Sequence, residues 1–511
     1  MIGVCLSNWV TLWLVVIEVA FSEDVIYSKG SLASYPASLP TLEEPAVMDF
    51  ASHPAFLGRR AFMGASLAGL AASQLLGADF SPKGLDESPF QPNTLFLTWQ
   101  RDPTTTMTVQ WVGTVGETSD TKIYYSRVHS DSQPMPLALS ALPAASSIIE
   151  VAKRELKVEP WLSQKTTTKP YPMTDFKVFR AELTGLAPDT DYMFRIGMSS
   201  PTYRFRTMPA KATNTIHFIS GGDCGINAHT VANNIQAARQ DPMFCVIGGD
   251  LGYDNGRSVE TSLAFLRNYS RHMVGRDGRL IPMLACLGNH EVDGGYNKPR
   301  GKAPFFYALF DGLYPETGFA SLDFGDYLSL ILLDTGHTTA IGGLQTDWLA
   351  RTLAARAEHP NVLVVNHVPA YPSARSMSAT TQVGGKEVQT GTGEENRKHW
   401  VPLFEKYRVP VVLEHHDHTF KRTKPLLNGV ANENGVLYLG DGSWGQLRSP
   451  NKPEKLTHLA QVNRDYHLSL HRIQGEERFH IALDEAGRLM DVCRSAQRKT
   501  GAVALPANVP G

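Results

Sequence analysis

Five apolar runs rich in β-branched residues, at 216–220, 244–247, 283–287, 362–365 and 411–413, lie beside five short segments of metal-binding side chains. The segments read Gly222-Asp223-Cys224-Gly225, Gly249-Asp250-Leu251-Gly252-Tyr253, Gly288-Asn289-His290-Glu291, Val364-Val365-Asn366-His367 and His415-His416-Asp417-His418. Apolar runs of this length, bounded by glycine and polar residues, read as buried strands of an α/β sheet. In such sheets the C-terminal strand ends meet at one edge, and ligands bind there. Chain order therefore delivers Asp, Asp with Tyr, Asn with His, His and His-x-His to one place. The spacing predicts a metal site with enough ligands for two ions.

The side chains divide into unequal sets. Asp223, Asp250, Tyr253 and one histidine of the His-x-His pair are rich in anionic oxygen. Hard, highly charged ions favour such donors, so Fe(III) is the expected occupant. Asn289, His367 and the other histidine, with a shared Asp250 carboxylate, form a softer set suited to Zn(II), Fe(II) or Mn(II). A carboxylate shared by two ions holds them roughly 3.5–4 Å apart, a spacing suited to in-line attack on phosphorus by a metal-bound hydroxide. His290 directly follows Asn289 and is positioned to give a proton to the leaving alcohol.

Taken in order, these motifs resemble the calcineurin-like metallophosphoesterases, and Tyr253 narrows the resemblance to the purple acid phosphatases. The resemblance runs from about residue 91 to the last strands near 491. It implies Asp223, Asp250, Tyr253 and His418 around a ferric ion, Asp250, Asn289, His367 and His416 around a divalent ion, and His290 beside the substrate. It also implies the fold class: α/β, a four-layer α/β/β/α phosphoesterase sandwich preceded by an all-β, fibronectin type III-like sandwich. Two departures stand out. His415 occupies a position where the family usually has glycine, so three histidines compete for two roles; the i, i+2 spacing on extended chain favours His416 and His418. The family's further histidine, some ten residues past the Val-x-x-His ligand, is missing from 370–377, leaving His415 or Arg375 as its expected substitutes.

Other polar residues carry more ordinary readings. His467 and His471 alternate with apolar residues and are expected on one strand face. Lys421 and Arg422 read as a solvated loop. Asn227, His229 and Thr335-Gly336-His337 follow strands and lie within plausible reach of substrate, without entering the catalytic set.

Ahead of the motifs, residues 91–208 read as all-β, with strand-like runs at 94–100, 107–112, 122–126, 178–183, 192–198 and 203–207. The stretch 185–192, ending in Tyr192, resembles the tyrosine-corner turn of fibronectin type III domains. A Pro/Ser/Thr-rich insertion at 129–175 is expected to be a long loop with a helix near 145–156. The catalytic domain is expected over 214–495, with crossover helices at 230–240, 260–273 and 346–357 and a loose tail at 496–511.

At the N-terminus, Arg59-Arg60-Ala61-Phe62-Met63 precedes an uncharged Ala/Gly-rich stretch to residue 78, the pattern of a twin-arginine export signal over 48–80. It sits behind 58 residues, whose own apolar stretch at 9–21 contains Glu18 and lacks a preceding Lys or Arg. Translation from Met48 is the simplest expectation, with 1–47 outside the natural protein. Export to the periplasm, cell surface or medium follows, without a stable membrane span. A net charge of −2 argues against nucleic acid as an obligatory partner, and five cysteines give no disulfide framework.

The expected activity is hydrolysis of phosphomonoesters. A phosphodiesterase or nucleotide pyrophosphatase would use the same ions, and an inert binding protein should have lost part of the ligand set.

Overall fold

The computed structural model describes residues 90–128, 159–383 and 386–495, all within one compact unit spanning Gly84–Gly511. The twin-arginine motif, the proposed start at Met48, the helix expected near 145–156 and the tail lie outside the described residues.

The first domain is a sandwich of eight strands: β1 (Phe96–Thr98), β2 (Met107–Gly113), β3 (Ile123–Arg127), β4 (Leu162–Gln164), β5 (Thr167–Pro170), β6 (Lys177–Leu183), β7 (Asp191–Ile196) and β8 (Tyr203–Arg206). They form two antiparallel sheets ordered β1-β2-β6-β5 and β4-β3-β7-β8. Tyr192 closes the expected corner, its hydroxyl accepting the Ala187 N–H at 2.8 Å. Two strands, β4 and β5, correct the expectation of a loop through 175. Both lie at sheet edges and their residues are largely exposed, so no apolar alternation marks them in sequence.

Arg180 on β6 locks this sandwich to the next domain. Its guanidinium donates to Gln110 Oε1 and Asp311 Oδ1, each at 2.6 Å, and to the carbonyls of Ala308 and Leu309. Those carbonyls end the helix Pro304–Phe310, where a cation also complements the helix dipole. The helices are α1 (Ala228–Arg239), α2 (Val259–His272), α3 (Pro304–Phe310), α4 (Leu344–Ala355), α5 (Glu394–His399) and α6 (Val401–Lys406).

The second domain stacks two sheets. One contains β9 (Ile216–Gly221), β10 (Cys245–Ile247) and β11 (Met283–Ala285), mutually parallel, then antiparallel β23 (His467–Gln474), β24 (Glu477–Asp484) and β25 (Leu489–Ser495), in the order β11-β10-β9-β23-β24-β25. The other contains β12 (Ala320–Phe324), β13 (Leu328–Leu333), β14 (Val362–Asn366), β17 (Val411–Glu414), β18 (Phe420–Thr423), β21 (Leu437–Asp441) and β22 (Leu459–Asn463). Its order is β12-β13-β14-β17-β21-β18-β22, with β13, β14, β17 and β21 parallel. Two short hairpins, β15 (Thr380–Val383) with β16 (Lys386–Gln389) and β19 (Leu426–Leu427) with β20 (Val430–Ala431), decorate the loops.

The period of two along the second sheet explains the layers. Leu330, Leu332, Leu363, Val365, Leu413 and Leu439 join the core shared with the first sheet. Their neighbours Ile331, Leu333, Val362, Val364, Val412 and Tyr438 join a separate cluster with Leu349 and Leu353 of α4 and Trp400, Val401 and Phe404 at α6. On the outer side of the first sheet, α1 and α2 contribute Ala237, Leu263, Leu266 and Tyr269 to the first cluster. Helix, sheet, sheet, helix is the result, as the family resemblance implies. Lys421 and Arg422 are a second correction: they lie on β18, with Lys421 only 1% exposed and paired to Glu414 at 3.0 Å, and Arg422 paired to Asp491.

Candidate metal centre

The metal-seeking side chains come from the C-terminal ends of five parallel strands in two sheets, not one. Asp223, Asp250 and Asn289 follow β9, β10 and β11; His367 follows β14, and His416 and His418 follow β17. Ladder-like bonds continue beyond the strands and bring the loops together: Asp223 N–H donates to Gly249 O, Cys224 N–H to Asp250 O, and His415 N–H to His367 O. The buried Glu291 carboxylate accepts the backbone N–H groups of Asp250, Leu251 and Gly288 at 2.6–2.8 Å.

Five of these residues hold a left-handed backbone: Asp223 (φ 58°), Asp250 (56°), Tyr253 (59°), His416 (72°) and His418 (58°). Non-glycine residues in that region each cost about 1 kcal/mol or more, and such strain clusters at functional sites. At these turns the side chains are swung off the line of the strands, all toward one another.

Their atoms fall into two groups. Asp223, Asp250 and His418 offer donor atoms within 4.8 Å of one another, as do Asp250, His367 and His416. Tyr253 belongs with the first group: its hydroxyl is 3.0 Å from both Asp223 Oδ1 and His418 Nε2. Asn289 belongs with the second, its Oδ1 lying 3.2 Å from His367 Nε2. Asp250 is common to both. Its Oδ1 accepts the His290 N–H at 2.8 Å, and its buried Oδ2 lies 3.2 Å from His367 Nε2. Two buried donor groups that share one carboxylate fit two ions, and Asp250 is the side chain that both would use.

The charges agree. Burial pushes the Asp250 carboxyl up, yet the adjacent His367 ring outweighs it and holds the group below its ordinary range. Burial pulls the His367 imidazole down, but Asp250 and Asp223 raise it to about 9. His367 thus carries a proton where a cation would sit, and metal binding must displace it. Its Nδ1 donates to Gly248 O at 2.9 Å, which aims Nε2 into the site. Burial, then the negative Asp223 and Asp250, pushes the Tyr253 phenol well above 10. It ionises only beside a cation.

His290 stands apart from both groups. Its Nδ1 lies 2.8 Å from Asn255 Oδ1, and its Nε2 is 4.0 Å from Asp250 Oδ2. Its side chain is 29% exposed, at the mouth of the site.

The substitutes sought for the missing histidine fare differently. His415 is buried and turned away: Nδ1 donates to Asn366 O at 3.0 Å, and the ring fills the space above Gly222 and Gly248. A Cβ on Gly248 would lie 1.9 Å from that ring. Arg375 reaches the back of the His-x-His turn, donating to His416 O and to Asp417 Oδ1 at 2.8 Å. Asn227 caps α1, and His229 stacks on Tyr466 and pairs through Nδ1 with Glu485. His337 is fully buried, wedged between Tyr296 and His367. His467 and His471 share one buried face of β23, as expected, with His471 bonded to Ser220.

Sequence reasoning missed Asn255 and Tyr296. Both sit in Gly/Asn-rich turns without local periodicity, and only tertiary placement brings them to the site.

The purple acid phosphatase N-terminal domain matches residues 92–207, and the calcineurin-like phosphoesterase domain matches residues 216–420. Purple acid phosphatase 21 of Arabidopsis thaliana is 26% identical over 310 residues, covering 58% of this chain and 65% of its own length. Purple acid phosphatase 22 of the same plant is 26% identical over 310 residues, with coverages of 58% and 66%. The chain thus spans just under two thirds of the length of these relatives. Among solved structures, the purple acid phosphatase PPD1 from yellow lupin (Lupinus luteus) seeds shares the fold at a TM-score of 0.58 and 15% identity, covering 78% of this chain and 73% of that one. Both domains matched in order, over a shared fold, make this chain a member of the purple acid phosphatase family of calcineurin-like phosphoesterases.

Proposed function

We propose that this chain hydrolyses phosphate monoesters at a dinuclear centre. Asp223, Asp250, Tyr253 and His418 hold a ferric ion, and Asp250, Asn289, His367 and His416 hold a divalent ion, Zn, Fe or Mn. The observation that supports the reading is the convergence of two buried donor groups on one shared carboxylate, Asp250. Bound ions would supply an activated water and neutralise charge on the phosphoryl group. The chain's own residues do the rest. Asp250 fixes the spacing of the two half-sites, Glu291 fixes Asp250 through its backbone, and His290 gives a proton from Nε2 to the leaving alcohol while Asn255 orients the ring. A panel of monoesters, diesters and nucleotides, assayed on protein of known metal content, tests the reading; preference for diesters would move it to the phosphodiesterase alternative.

Tyr253 gives this proposal a spectroscopic signature. A phenolate on Fe(III) donates charge into the metal and absorbs visible light. The iron-loaded protein is expected to be purple or pink, and Tyr253→Phe colourless with ester hydrolysis retained, since Asp223, Asp250 and His418 remain. A colourless wild type containing stoichiometric ferric iron would remove Tyr253 from the set.

Export through Arg59-Arg60, with translation from Met48, belongs to the same proposal, because a chain that loads metals before crossing a membrane suits the twin-arginine route. Among the described residues no helix is long and apolar enough to cross a membrane. Protein made from Met48 is expected outside the cytoplasm, and Arg59→Lys with Arg60→Lys inside it. Native protein yielding peptides from 31–44 would refute the start at Met48.

A further inference from the structure

His416 shows its two ring nitrogens to different neighbours. Nδ1 lies 3.1 Å from His367 Nε2, on the side where Asp250 and His367 converge. Nε2 points the other way, 3.3 Å from the phenol oxygen of Tyr296. An imidazole that binds an ion through one nitrogen donates its other N–H to a fixed acceptor, which sets both tautomer and ring orientation. The Tyr296 oxygen is in that place, and it also lies 3.5 Å from Asn289 Oδ1.

Tyr296 is 39% exposed, so burial of apolar area does not explain its placement. It is nonetheless held firmly. Its ring packs on His337 with centroids 4.8 Å apart and meets His416 edge-on at 87°. His337 is itself tied by Nδ1 to Gly295 O and by Nε2 to Thr335 Oγ1, each at 2.9 Å. The backbone N–H groups of Asn297 and Lys298 donate to Gly336 O and His337 O. Gly294 (φ 100°), Gly295 (74°) and Asn297 (55°) give the turn a left-handed path that lifts Tyr296 over the second half-site.

We infer that Tyr296 is a positioning residue for the second ion: its phenol oxygen accepts the Nε2–H of His416 and keeps the Nδ1 lone pair aimed at the metal. The hydroxyl's own proton faces Asn289 Oδ1, so one side chain steadies two proposed ligands of the same ion. This rests on the dinuclear reading proposed above.

The test compares the full chain with its Tyr296→Phe variant, which keeps the ring on His337 and loses only the oxygen. Both are loaded with iron and zinc and dialysed against graded chelator, and the retained metals are measured. Tyr296→Phe is expected to bind zinc about 10- to 100-fold more weakly. Its iron content and visible band should match the wild type, and excess zinc should restore its turnover. Equal zinc retention by both proteins overturns the inference while leaving the dinuclear reading intact. A visible band that weakens in Tyr296→Phe at full iron content also overturns it, because Tyr296 would then be a ligand rather than its support. A wild type that holds fewer than two ions sinks the dinuclear reading and this inference together.

Discussion

Asp250→Ala is expected to hold neither ion and to show no phosphatase turnover above background. Asp250 is the one side chain common to both donor groups, and it is fully buried. Removing it empties the bridge, so each ion loses a ligand and the two half-sites lose their common spacer. The losses are one hydrogen bond from the His290 N–H, the buried pairing with His367 at 3.2 Å and a less favourable left-handed residue, together roughly 4–8 kcal/mol, so the fold of Asp250→Ala is checked alongside its metals. Asp250→Asn separates these effects, because Asn tolerates the backbone and retains an acceptor while the negative charge is gone. Elemental analysis, circular dichroism and an ester assay on the same samples check the expectation. A folded Asp250→Ala variant with two ions would rule out the bridge.

His290→Ala has the next largest expected effect and the opposite pattern. Both ions should remain while kcat falls by roughly 10²–10⁴, the usual worth of a positioned general acid. The His290 ring lies against Tyr253 with Nε2 4.0 Å from Asp250 Oδ2, and its Nδ1 is engaged by Asn255, so it holds a place beside the reacting group and outside the donor sets. Substrates with a very acidic leaving alcohol need little protonation and should lose much less. An empty half-site in this variant would make His290 a ligand.

How much of this was legible in the sequence follows from how locally each feature is encoded. The inner strands are continuous apolar runs because both sheet faces are covered, so β9, β10, β14 and β17 announce themselves. The edge strands β4 and β5 do not, since neither face is well buried. The seven side chains expected as metal ligands lie near one another in the fold, yet the geometry that aims them was hidden. Left-handed backbone at Asp, Tyr and His leaves no compositional trace, unlike the same conformation at glycine. His415 is instructive. Its departure from the usual glycine was visible, but its role depends on Gly222 and Gly248, which come from other strands and leave room for its ring. Tyr296 and Asn255 were invisible for a related reason: each sits on an irregular turn, where no periodicity predicts which way a side chain points.

Elemental analysis of the purified full chain tests the dinuclear centre most directly. Two ions per chain, at least one of them iron, are expected, falling to none in Asp250→Ala and staying at two in His290→Ala. One ion or none per wild-type chain, after loading with excess iron and zinc, would contradict it.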